Sequence, residues 1–72
     1  MKTKTLTKRE LEVMKLIIQG YHNSKISEKL FISEHTTKAH ISSIYEKLNV
    51  SNRVQAIVKY LKENKNFDIL DE

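Results

Sequence analysis

The stretch ISEKLFISEHTTKAHISSIYEKLNV, Ile26 to Val50, constrains this 72-residue chain more than any other. It contains neither Gly nor Pro and reads as two helices joined by a tight turn. Ser33 is placed to cap the longer helix, Glu34 to Leu48. Along it Thr37, Ile41, Ile44 and Leu48 recur at steps of four, three and four, a narrow apolar stripe. Asn49, which tolerates a left-handed backbone, stops it.

The flanking sequence supplies two more helices. Thr7 and Glu10 have the spacing of a capping box, in which the hydroxyl bonds the Glu10 amide and the carboxylate reaches back to the Thr7 amide. Leu11, Met14, Leu16, Ile17 and Ile18 follow at helical spacing, and Gly20 closes this first helix. Asn23 is an N-cap candidate for a short second helix, Ser24 to about Phe31, with Ile26, Leu30 and Phe31 facing inward. Ser51 is placed to cap a fourth, from about Asn52 to Glu63. No segment alternates with period two, so the expected fold is an all-α, four-helix domain. It runs from 6 to 64, with an N-terminal arm at 1–5 and an acidic tail at 65–72.

Composition narrows the function classes. A chain of this length allows one small core, and with 39% hydrophobic and 31% charged residues a packed globule is expected. The absence of Cys removes disulfides, thiolate chemistry and Cys-ligated zinc. His22 and His35 lack acidic companions at metal spacing, so no metal or other cofactor is expected, nor a small-molecule ligand. No nucleophile–base pair or phosphate-cradling Gly loop is present, which argues against an enzyme. No apolar run approaches the roughly 18 residues that span a bilayer, and no secretion signal opens the chain. The expectation is a cytoplasmic, nucleoid-associated protein without a membrane partner. All 13 Lys and Arg fall within residues 1–65 beside six acids, whereas the last seven residues hold three acids and no base. A basic globule with an acidic tail points to a polyanionic partner.

The third helix offers the surface for one. With Ile41 at the centre of the buried face and about 100° per residue, the opposite face carries His35, Thr36, Ala39, Ser42, Ser43 and Glu46, with Lys38 on its flank. An ordinary solvated face favours long Lys, Glu and Gln. Short Ala39, Ser42 and Ser43 instead let a helix backbone sit deep between the phosphate walls of a major groove. Lys38 can reach guanine acceptors or a phosphate, and His35 and Thr36 occupy the first turn, where helix amides favour an anion. Glu46 would repel phosphate, accept from cytosine N4, or pair with a nearby Lys. Asn23, Lys25 and Lys47 are candidate phosphate contacts.

The runs LTKRELEVMKLIIQG and ISEHTTKAHISSIYEKLNVSNRVQAI resemble the LuxR/FixJ/GerE-type helix-turn-helix domain of bacterial transcription regulators. That pattern reads approximately L-T-x-R-E-x-E-V-L, then I-S-E-x-T-V-K-x-H, then K-L-x-V-x-x-R-x-x-A, and the match extends from about Leu6 to Leu61. A promoter-reading sigma-factor region shares the fold, but HISSIYEKLNVSNR fits the LuxR-type pattern better. The resemblance implies four helices, the third reading double-stranded DNA and the fourth making a dimer contact. The chain departs from the pattern at Ser27 (usually Ala), Thr37 (usually Val) and Lys25 (often acidic). The first two place hydroxyls at an inter-helix surface, where each can bond a carbonyl four residues back. Regulators of this type usually carry a further sensing domain; a stand-alone regulator and a C-terminal piece are equally compatible with the sequence.

The fourth helix is apolar over about 200° of arc, wider than the ~100° needed to seal one core. Ala56, Ile57 and Tyr60 are expected inside, leaving Val54, Val58 and Leu61 as an exposed seam for a two-fold partner. That seam is small, so a weak homodimer tightened on DNA is expected. The competing occupant is the tail, through Phe67, Ile69 and Leu70. Glu10 reads as a capping acid with Arg53 as a candidate partner (a phosphate is the rival partner of Arg53), His40 as a packed histidine, and Tyr21, Tyr45 and Tyr60 as core or edge aromatics. The alternative function is a protein-interaction module that antagonises a related regulator or contacts RNA polymerase.

Overall fold

Capping chemistry sets where each helix starts. Thr7 Oγ1 accepts from the Glu10 amide at 3.1 Å and Glu10 Oε1 accepts from the Thr7 amide at 2.9 Å, completing the capping box. The computed structural model describes residues 5–64. It comprises α1 (Lys8–Ile18), α2 (Asn23–Leu30), α3 (Glu34–Leu48) and α4 (Arg53–Glu63), with no strand among the described residues. The tail at 65–72, including Phe67, Ile69 and Leu70, lies outside them.

Two starts differ from expectation. His22 takes the cap position of α2 without a side-chain hydrogen bond, so Asn23 is the first helical residue rather than the cap. Asn52, not Ser51, caps α4: its Oδ1 accepts from the Gln55 amide at 2.9 Å, while the Ser51 amide donates to Gln55 Oε1. Asn and Ser both cap well, and the turn geometry chose between adjacent candidates.

One device ends the first three helices. Gly20, Phe31 and Asn49 adopt positive φ of 97°, 58° and 60°. The residue after each donates back across the last turn, Tyr21 to the Leu16 carbonyl, Ile32 to Ser27 and Val50 to Tyr45, at 2.9–3.1 Å. Gly and Asn are ordinary choices for the left-handed position; Phe is not, at a cost of roughly 1–2 kcal/mol. Phe31 is also 94% exposed, contrary to the expectation that it faces inward. The left-handed backbone swings it off the buried stripe that Ile26 and Leu30 follow.

The core is Leu6, Val13, Met14, Ile17, Ile26, Ile41, Ile44, Leu48, Ala56 and Tyr60, and α3 packs on the other three helices. Burying a Leu, Ile, Val or Met side chain contributes about 1.5–3 kcal/mol, which is how the eight in this core hold a domain without a disulfide. In α1 the buried set is Glu10, Val13, Met14 and Ile17, while Leu11 lies at the surface beside α4. The capping box sets this phase by turning Glu10 inward, which rotates its neighbour Leu11 away.

Two of the three departures from the resembled pattern meet each other. Ser27 Oγ donates to the Asn23 carbonyl at 2.8 Å and lies 2.7 Å from Thr37 Oγ1, both residues being buried. With the Ser27 proton committed to the carbonyl, the Thr37 hydroxyl is the donor to Ser27. Thr37 thus uses a partner on α2, where the sequence suggested only a carbonyl on its own helix.

Candidate nucleic-acid interface

The buried and exposed sides of α3 are opposite faces of one helix. Thr37, Ile41, Ile44 and Leu48 point into the domain, as the four-three-four spacing requires. On the far side His35, Ala39, Ser42 and Glu46 are exposed and Thr36 is half-buried, with Lys38 exposed on the flank. Ser33 Oγ accepts from the Thr36 amide at 3.0 Å and donates to Thr36 Oγ1 at 3.0 Å, so the first turn is held rigidly at its N-terminus. With only short side chains at Ala39 and Ser42, a groove wall can approach the helix backbone there.

Two residues of the expected set turn elsewhere. Ser43 Oγ donates to Glu10 Oε2 at 2.7 Å, and Lys47 Nζ lies 2.8 Å from Glu10 Oε1. Both sit between the exposed face and the buried stripe, and the Glu10 carboxylate of α1 takes their polar atoms. They tie α3 to α1 instead of extending the exposed face. Burial raises the Glu10 carboxyl, but hydrogen bonds from Lys47, the Thr7 amide and Ser43, with the Lys47 charge, outweigh it and hold the group at about 2. This cluster was missed because its members are 33 and 37 residues apart in sequence. Arg53, the partner expected for Glu10, donates instead to the Tyr21 carbonyl, pinning α4 to the turn between α1 and α2.

On α2, Asn23 is half-buried and its carbonyl serves Ser27, while its side chain, one residue past the cap, is not used for capping. Lys25 is exposed and lies 3.0 Å from Glu28, one turn on. An exposed pair of this kind contributes at most about 1 kcal/mol, so Lys25 can exchange it for a phosphate. On α4, Val54, Val58 and Leu61 are 69%, 52% and 40% exposed, while Ala56 and Tyr60 are buried and Ile57 packs against the core. The helix divides its wide apolar arc as its spacing suggested.

Residues 4–60 match the sequence profile of the bacterial regulatory proteins, luxR family. The chain belongs to that family. This LuxR-family domain is 51% identical over 57 residues to the transcriptional regulatory protein DegU of Brevibacillus brevis, a match covering 79% of the chain and 24% of DegU. It is 54% identical over 54 residues to the transcriptional regulatory protein LiaR of Bacillus subtilis, covering 75% of the chain and 26% of LiaR. The chain therefore spans about a quarter of the length of these curated relatives. Among solved structures, the transcription factor GerE superposes with a TM-score of 0.77 at 41% identity, over 86% of this chain and 94% of GerE. The response regulator ChrA of a heme-sensing two-component system gives 0.79 at 37% identity, over 93% of this chain and 33% of ChrA. The four-helix LuxR-type fold is thus shared across proteins named as regulators.

Proposed function

We propose that this LuxR-family domain reads double-stranded DNA sequence-specifically for a transcription regulator, with α3 in the major groove. The observation that carries the reading is the exposed face of α3: short Ala39 and Ser42 turned away from a packed stripe, with exposed Lys38 on the flank. Ala39 and Ser42 let the helix backbone approach the base edges, and Ser42 supplies a small donor or acceptor there. Lys38 reaches a guanine edge, and Glu46 accepts from a cytosine amino group one turn further on. His35 and Thr36 place the first turn of α3, with its partial positive charge, against a phosphate. From α2, Asn23 and Lys25 engage the backbone and fix the orientation without carrying sequence information. Ser43 and Lys47 are left out of this set because Glu10 holds them.

Two copies pair through the Val54, Val58 and Leu61 seam, which suits an operator with two related half-sites. Three such side chains bury far less than the ~800 Å² per partner of a stable interface, so pairing is weak until adjacent half-sites hold both copies. The site of action is the nucleoid, in the cytoplasm. Support comes from the shared fold and from relatives named as transcriptional regulators.

Titration of a fluorescent mixed-sequence duplex at several salt concentrations tests the reading. Phosphate neutralisation releases counterions and gives a steep negative slope of log affinity against log salt. A flat line, or no binding at low salt, overturns the proposal and favours a protein partner such as RNA polymerase.

A further inference from the structure

We infer that Phe31, in the turn between α2 and α3, is a DNA-contact residue whose ring packs on the C5-methyl of a thymine bordering the half-site. The inference rests on the DNA-reading function proposed above and names a residue outside the α3 face. Three observations carry it. The first is exposure: at 94%, the ring of Phe31 contributes almost nothing to the core. The second is a comparison within the molecule. Three helices end on a left-handed residue with the same backbone bonds, and two of those residues are Gly20 and Asn49, types that tolerate that geometry. Phe31 has a strained backbone and an unburied ring together, with no compensating contact in the core, so what the ring gains lies outside the folded chain.

The third observation is position. The Ile32 amide bonds the Ser27 carbonyl at 3.1 Å and Ser33 caps the Thr36 amide at 3.0 Å, so the turn is fixed on both sides of Phe31. The residue lies three positions before Glu34, the start of α3, and four before exposed His35, continuous with the proposed groove-reading surface. A protein partner would need a wider apolar patch. Leu30 packs against the core and Ile32 is half-buried, so Phe31 is the one exposed large apolar side chain of the turn between α2 and α3. Among the described residues, the other exposed large apolar side chains, Leu11, Val54, Val58 and Leu61, belong to α1 and α4. One ring beside a major-groove helix matches a thymine methyl, the apolar feature that base pairs present in that groove.

The test uses F31G and F31L, thermal unfolding without DNA, and binding to a duplex selected by the wild-type chain from a random pool. A parallel series of that duplex replaces each thymine in turn by deoxyuridine, which removes only the methyl. The expected result is that F31G unfolds at the same or a higher temperature yet binds about three- to ten-fold more weakly, the scale of one apolar contact. Its salt slope stays unchanged because no charge is lost. F31L recovers most of the affinity, and uracil at one position weakens the wild type but not F31G. Equal binding by F31G and wild type overturns the inference, as does a loss of affinity accompanied by lower thermal stability. So does a uracil effect of the same size in both proteins. If the wild type shows no salt-dependent binding, the DNA-reading proposal fails and this inference fails with it. Wild-type binding with F31G unaffected removes this inference alone.

Discussion

The Ser27–Thr37 pair makes an asymmetric stability prediction. Both hydroxyls are buried between α2 and α3, with Ser27 donating to the Asn23 carbonyl and Thr37 donating to Ser27. Replacing Ser27 by Ala removes the acceptor of the Thr37 hydroxyl and strands that donor in the core. An unsatisfied buried donor costs about 1–3 kcal/mol, and rotation of Thr37 toward a carbonyl of its own helix recovers part of it. The expected loss for S27A is therefore about 1 kcal/mol. Replacing Thr37 by Val is different, because Ser27 keeps its donated bond and loses only an accepted one, while a methyl replaces a buried hydroxyl. T37V should lie between neutral and about 1 kcal/mol more stable. The double variant leaves no stranded group and should fall within about 0.5 kcal/mol of T37V, so the two changes are non-additive by about 1 kcal/mol. Urea unfolding followed by circular dichroism measures all four proteins, with unchanged m-values required for the comparison. A domain of this size shifts its Tm by about 4–8 °C per kcal/mol, so S27A should be visible by heating as well. Equal destabilisation by S27A and T37V, or strict additivity, would refute the donor assignment.

Other outcomes follow from the same geometry. Glu10 lies at about 2 when folded against an ordinary value of 4.5, so its stabilisation is present above 4.5 and drains away as pH falls toward 2. The swing is at most about 3 kcal/mol, and an unfolding series between those pH values should show it in the wild type and lose it in E10Q. Replacing Lys38 by Ala should cost about 1–3 kcal/mol of binding with relaxed preference at one base position; uniform loss over a random-duplex pool would demote it to a backbone contact. V58E should leave the unfolding temperature nearly unchanged, since the side chain is half exposed, yet abolish cooperative binding to paired half-sites. Retained cooperativity in an electrophoretic mobility assay would dismiss α4 as the pairing surface.

Most of the helical framework is legible in the sequence. The α3 boundaries, its Ser33 cap, its left-handed stop at Asn49 and its buried quartet all follow from local spacing, because backbone hydrogen bonding and capping act within a few residues. The Thr7–Glu10 box is legible for the same reason. Adjacent cap candidates at Asn23 and Ser51 were harder, since neighbouring residues of similar propensity differ only in how the preceding turn delivers them. Phe31 misled because apolar character suggests burial, whereas its place one residue past the end of α2 selects a left-handed backbone that turns it outward. A clue was present in the sequence: Gly20 and Asn49 mark the other two helix ends.

By itself, the sequence determined the number of helices, the side of α3 that faces the core, and which α4 residues stay outside, all consequences of a 3.6-residue period acting on a binary pattern. Only the tertiary structure decided that Glu10 gathers Ser43 and Lys47. It likewise brought Ser27 and Thr37 together as partners, and sent Arg53 to the Tyr21 carbonyl. Those pairings join residues 10 to 37 positions apart, and a polar group left without a partner in a core is costly enough that packing, not local propensity, selects who meets whom.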